Sequence, residues 1–101
     1  MKQIGQFDDL IHQPIRLKIM ATLKGLPEDG QIEFVRLRAI VGATEGNLGA
    51  HIASLEKAGY LTMTKDFLGK KPRSRVQISP LGRSAFDSYI GYLRDIVDQH
   101  G

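Results

Sequence analysis

Apolar residues recur along this chain first at helical spacing and then at every second position, and the switch divides it. Ile4, Phe7, Leu10 and Ile11 fall three or four apart, which predicts a short amphipathic helix over 1–12. Pro14 restarts the chain as the first residue of a helix over 14–25, a position where its missing N–H would be unpaired in any case. Ile15, Ile19, Met20 and Leu23 lie on one side of that helix, and Gly25 stops it after Lys24. Leu26 to Gly30 (LPEDG) reads as a turn, with a very short strand possible over Gln31 to Glu33. Phe34, Leu37, Ile40 and Val41 predict a helix over 34–42, closed by Gly42. Thr44 then caps a helix over 44–59 whose inner face is Leu48, Ile52 and Leu55. Two short helices joined by a tight glycine-containing turn (VGATEG) make a helix-turn-helix.

From residue 60 the period falls to two. Leu61, Met63 and Phe67 alternate with Thr62, Thr64 and Asp66, and Val76 and Ile78 share a face opposite Arg75 and Gln77. With Leu68 to Pro72 as the turn region, 60–79 is a β-hairpin. Ser79 and Pro80 cap and open a last helix over 80–99, with Ala85, Phe86, Tyr89, Ile90, Leu93, Ile96 and Val97 as its apolar positions. The pattern is mainly α with a small antiparallel β-hairpin. It makes a single domain over 1–101, with no repeat, low-complexity tract or linker.

Composition narrows the function. A chain of 101 residues supports one small core, so an apolar stripe left over serves a partner. The sequence has no cysteine, which excludes disulfides, thiolate metal sites and a cysteine nucleophile, and fits a cytoplasmic location. No apolar run approaches the ~20 residues of a membrane span, and Asp8 and Asp9 stand where a signal peptide is apolar, so no membrane partner is expected. The net charge of +3 says little by itself, but its location says more. Residues 65–75 (KDFLGKKPRSR) hold Lys65, Lys70, Lys71, Arg73 and Arg75 against Asp66, a local charge of +4, while the other 90 residues carry nine cations and ten acids, or −1. A polyanion meets one basic projection on a nearly neutral body.

This order of elements resembles the winged helix-turn-helix transcriptional regulators of the MarR and ArsR type, most closely their small single-domain bacterial and archaeal relatives. The resemblance spans nearly the whole chain. It is carried by IHQPIRLKIMATL at 11–23, TEGNLGAHIASLEKAGYL at 44–61, GKKPRSRVQIS at 69–79 and PLGRSAF at 80–86. What it implies is a homodimer joined through N- and C-terminal dimerisation helices, with the third helix in the major groove of double-stranded DNA and the hairpin wing against the backbone or minor groove. Two departures stand out. Gly49 and Ala50 occupy positions where such regulators often carry larger polar side chains, and the cysteines that metal-sensing members use are absent. An effector, if one exists, is unidentified.

On a helical wheel with Leu48, Ile52 and Leu55 inward, Gly46, Ala50, Ala53 and Lys57 face out, flanked by Asn47, Gly49 and Ser54. So small a face lets the helix backbone approach a groove closely but offers few groups that tell bases apart. Asn47 is the candidate base reader, because its amide can bond adenine through two atoms. Thr44 at the helix start can present its hydroxyl to a phosphate, and His51 can donate to phosphate or base. Against these stand plainer roles: a cap for Thr44, a solvated amide for Asn47, a packed imidazole for His51. Lys70, Lys71, Arg73 and Arg75 on the wing are the expected phosphate contacts, with Arg16, Arg36 and Arg38 weaker candidates. Ile4, Phe7, Phe86, Tyr89, Ile90, Leu93 and Val97 are expected at a two-fold dimer interface, which would cover the terminal apolar faces.

Enzyme and cofactor chemistry find no support. Gly42, Gly46 and Gly49 lack the strand and spacing of a phosphate-binding loop, and His12, His51 and His100 are far apart in sequence. Asp95, Asp98 and His100 cluster near the C-terminus, where solvated acids are the ordinary explanation of such a group, so no metal is expected. The competing reading of the whole chain is a winged-helix protein interaction module without DNA binding.

Overall fold

Capping chemistry sets the helix boundaries in the computed structural model, which describes residues 5–100. Helix α1 (Pro14–Lys24) starts where the Gln13 side chain accepts the Arg16 N–H at 2.7 Å and ends at Gly25. Helix α2 (Phe34–Val41) closes at Gly42, whose φ of 69° places it in the left-handed region and turns its N–H back to the Arg38 carbonyl. Helix α3 (Glu45–Lys57) begins where Thr44 Oγ1 accepts the Asn47 N–H at 3.2 Å. Glu45 in its first turn and Lys57 in its last both complement the helix dipole. Helix α4 (Pro80–His100) is capped by Ser79 Oγ, which accepts the Gly82 N–H at 2.9 Å.

Three antiparallel strands, β1 (Ile32–Glu33), β2 (Leu61–Leu68) and β3 (Lys71–Ile78), order as β1-β3-β2. The β1 pairing sets Ile32 opposite Val76 and Glu33 opposite Arg75. The hairpin runs from Leu61 opposite Ile78 out to Leu68 opposite Lys71, leaving Gly69 and Lys70 as a two-residue turn. Gly69 takes a φ of 67° there, the first-position glycine that a tight hairpin turn favours. Only the inner end of the hairpin reaches the core. Leu61, Val76 and Ile78 are buried with Ile19, Met20 and Leu23 of α1, Leu37 and Val41 of α2, and Leu48, Ile52 and Leu55 of α3. Phe67 continues the face of Leu61 and Met63 yet is 67 % exposed, because the hairpin outruns the helices that would cover it.

Three expectations need correction. The described part of 1–12 is not a helix: Gly5–Asp8 is irregular and Asp9–Ile11 a turn, while Ile4 lies outside the described residues. The cause is local. Asp8 Oδ1 accepts the N–H groups of Leu10 and Ile11 at 3.0 and 3.1 Å, a side-chain bond that competes with helix formation. The Gln6 N–H meanwhile reaches the Ser88 carbonyl of α4. This N-terminal strap buries Ile11 in the core. Ile40 is exposed, because the i, i+4 pair Leu37 and Val41 aims the α2 stripe inward and leaves Ile40 to one side. Tyr89, expected between subunits, is buried within its own chain, its hydroxyl bonded to His12 Nδ1.

Candidate nucleic-acid interface

The outward face of α3 is bare. A Cβ placed on Gly46 or Gly49 would meet no atom within 4 Å, so neither glycine is there to admit a neighbouring element of this chain. Each costs about 1 kcal/mol relative to alanine inside a helix, with no offsetting contact in the monomer. Asn47 and Ala50 beside them are exposed. Thr44 has its Oγ1 committed to the cap, although its hydroxyl proton stays free to donate. Ser54 is committed as well, its hydroxyl donating to the Ala50 carbonyl at 3.2 Å. Asn47 is therefore the exposed amide on this face with no side-chain partner among the described residues.

His51 is held from behind. Arg16 Nη1 of α1 lies 3.2 Å from His51 Nδ1, and Arg16 Nε donates to the Leu10 carbonyl of the N-terminal strap. Burial and the Arg16 charge lower the His51 pKa below its ordinary 6.5. A neutral ring accepting from Arg16 at Nδ1 carries its proton on Nε2, away from Arg16. Arg16 thus positions His51, which corrects its expected role as a separate backbone contact. Asp8 makes a second tie by accepting the Tyr60 hydroxyl at 2.6 Å. Burial, then that bond, pushes the Tyr60 pKa up to about 12.

The wing is less free in charge than its composition implies. Arg73 donates to Asp66 through Nε at 2.8 Å and Nη2 at 3.2 Å, and Arg75 Nη2 donates to the same carboxylate at 2.7 Å. Hydrogen bonding from Arg73 leads the causes that hold the Asp66 carboxyl below the usual range. The clamp is incomplete, since Arg75 Nε is buried with no partner. Arg73 and Arg75, expected as open phosphate contacts, are therefore paired in the free protein. Lys65, Lys70 and Lys71 are exposed and make no ion pair among the described residues. A surface groove bordered by Val35 and Glu45 on one side and Leu68, Lys71 and Pro72 on the other brings the wing beside the start of α3.

The sequence reading placed Arg16 among the weaker backbone contacts and counted Asp66 only as a charge; it missed the contact of Arg16 to His51, the clamp of Asp66 on Arg73 and Arg75, and the exposure of Phe67 and Leu68. Asp66 carried a usable signal: a turn centred on Gly69 and Lys70 fixes residue 66 opposite residue 73, with 75 on the diagonal. Nothing in the sequence ties Arg16 to His51, 35 residues away. At the other end of the molecule Phe86, Ile90 and Leu93 are half-buried and Val97 is 63 % exposed. Phe7 packs on His12 and Tyr92, with ring centroids 5.0 and 5.6 Å apart. Among the described residues no group of three His, Asp or Glu side chains converges as a metal site, and no helix is long and apolar enough to cross a membrane.

A helix-turn-helix followed by a two-stranded wing that pairs with a short strand ahead of α2, its third helix open to solvent, defines a winged-helix DNA-binding protein. The sequence signature of the winged helix DNA-binding domain matches residues 15–97, and the chain belongs to that family. It is 32 % identical to an uncharacterized protein of Methanocaldococcus jannaschii over 81 residues, covering 80 % of this chain and 85 % of that one. The solved structure of a transcriptional regulator homologue from Pyrococcus horikoshii superposes with a TM-score of 0.80 at 27 % identity, covering 89 % of this chain and 86 % of the other. A MarR-family transcriptional regulator from Silicibacter pomeroyi shares the fold, with a TM-score of 0.66 at 19 % identity over 90 % of this chain and 58 % of its own.

Proposed function

We propose that the protein is a homodimeric, sequence-specific regulator of transcription that sets α3 in the major groove of double-stranded DNA and the wing on the backbone or minor groove. The observation that carries this reading is the empty space around Gly46 and Gly49: two helix-weakening residues leave a backbone ridge uncovered where the fold presents its third helix. Asn47 reads a base, His51 donates from Nε2, and Thr44 meets a phosphate at the helix start. Lys70 and Lys71 supply the first phosphate contacts, and Arg73 and Arg75 join as a phosphate competes with Asp66 for their guanidinium groups. The half-buried row Phe86, Ile90 and Leu93 with exposed Val97 on α4, and Phe7 on the strap, form the dimer surface, with Tyr89 supporting it from beneath. A two-fold axis there would set two recognition helices about 34 Å apart on one DNA face.

The test is selection of bound fragments from random duplex DNA by the pure protein, with sedimentation alongside. A palindrome with half-sites about one helical turn apart, lost with V97D as that variant sediments as a folded monomer, is the expected result. Enrichment of no sequence, or a wild-type monomer at micromolar concentration, defeats the proposal and favours a protein interaction module.

A further inference from the structure

The outer end of the wing has a surface that phosphate contact does not explain. Phe67 is 67 % exposed and Leu68 63 %. Consecutive residues of a strand point to opposite faces, so the pair puts an apolar side chain on each side of the ribbon. Register sets Phe67 against the exposed Pro72 and Leu68 against Lys71, the last two rungs before the Gly69 and Lys70 turn. The rung below them is the Asp66 clamp, which ties β2 to β3 through both arginines and holds the ribbon stiff at its base. Exposed Lys65, Lys70 and Lys71 surround the tip. The outcome is a narrow tip with an exposed apolar side chain of β2 on each broad face, Phe67 near Lys65 on one and Leu68 opposite Lys71 on the other, braced underneath.

The geometry points to a wedge: the wing tip inserts Phe67 and Leu68 between base pairs from the minor groove, with Lys65, Lys70 and Lys71 on the flanking phosphates, and the duplex bends at that step. This rests on the DNA-binding reading above and adds that the wing deforms the DNA it touches. An opened base step offers two parallel apolar walls between two rows of negative charge, which matches a tip with an apolar side chain on each face and a lysine beside each. A flat anionic surface would engage one face and leave the other in water. The steps easiest to unstack are pyrimidine–purine ones, so the wing favours TA or CA where it enters.

The sequence has no tryptophan, so F67W supplies a single indole reporter while keeping an aromatic wedge. The probe is an AT-rich duplex of about 30 base pairs with central TA steps and a dye at each end. Energy transfer between the dyes reports a bend of about 20–90° with wild type. The F67W indole is expected to be quenched and shielded from acrylamide on binding. The F67A/L68A variant, altered only at exposed side chains, is expected to bind about 10-fold more weakly and leave the duplex straight. Its slope of log K against log[salt] is retained, because every lysine remains. An unchanged bend and affinity in F67A/L68A overturns the wedge. So does an indole that stays open to acrylamide on the duplex, or one shielded by phosphatidylserine vesicles and not by DNA. In each of those cases wild type can still hold the duplex; if wild type holds none at any salt, the DNA-binding reading itself has failed and the wedge with it.

Discussion

On α3 the outward residues are small and nearly uncharged, whereas the wing packs six ionic side chains into residues 65–75 and ties three of them, Asp66, Arg73 and Arg75, to one another. The helix offers shape. Its glycines leave a low ridge, the Ser54 hydroxyl is back-bonded, Thr44 keeps only its proton free, and in the proposed reading discrimination falls to Asn47 and to an imidazole held by Arg16. The wing offers charge, but restrained charge: the clamp reduces two guanidinium groups and one carboxylate to a net +1 and leaves the lysines as the cations without an ion pair among the described residues. Charge count along a sequence therefore overstates the field this protein presents, and side-chain size along a helix understates how closely it can approach. Sequence preference should respond to changes on α3, and salt dependence to changes on the wing.

The largest break is G49E. The side chain enters open space, so stability holds or rises with the gain in helix propensity. Duplex binding falls by about 100-fold or more, because a carboxylate now faces the polyanion at the point of closest approach. Thermal melting beside a binding titration checks both halves, and a G49E protein that binds as wild type would remove α3 from the groove. Next in size is the pair K70A/K71A. It should flatten log K against log[salt] by about 2 per protomer, if each lysine displaces one counterion, with little change in which sequence is preferred. An unchanged slope would remove both lysines from the phosphate backbone. Smaller again is D66N, which removes the charge that occupies Arg73 and Arg75. Affinity for any duplex should rise a few-fold and the salt slope steepen, eroding the ratio of specific to non-specific binding. Weaker binding by D66N would mean that the clamp matters as a brace and not as a restraint.

How far the sequence could be read follows the range of the interactions involved. The four helices announce themselves through caps and breakers that act within one turn, namely Pro14, Gly42, Thr44 and Ser79 with Pro80, and the helix-turn-helix was legible for that reason. The N-terminal segment has helical periodicity, yet Asp8 spends its carboxylate on two backbone N–H groups and Gln6 bonds α4. Tertiary and side-chain bonds outweigh a weak local preference there. Strand β1 is too short to be more than suggested by its sequence, and its pairing with β3 is a long-range event. Of the proposed site, the exposure of Thr44, Asn47, Lys70 and Lys71 was readable from position alone. What controls the others, Arg16 behind His51 and Asp66 across the hairpin, depends on register and on contacts between distant elements.

The smallest expected effect tests the link from the strap to α3. His51 titrates below 6.5 because burial, and then the Arg16 charge, disfavour its protonated form. A folded pKa below the unfolded one means the unfolded chain takes up the proton first. The stability contributed by neutral His51 is thus complete above pH 6.5 and lost as pH falls through the folded value. Protonation would also put an N–H on Nδ1 facing the Arg16 guanidinium, donor against donor, and break the bond that orients the ring. Following the imidazole resonances by NMR should give a folded pKa below 6.5 that moves part of the way back in R16M, which keeps bulk and removes charge. Duplex affinity of R16M at neutral pH should fall only a few-fold, through loss of orientation at His51, while its salt slope stays as in wild type because Arg16 faces Leu10 and His51 and not the phosphates. A slope flattened by about 1 would return Arg16 to the phosphate backbone and leave His51 without its positioning partner.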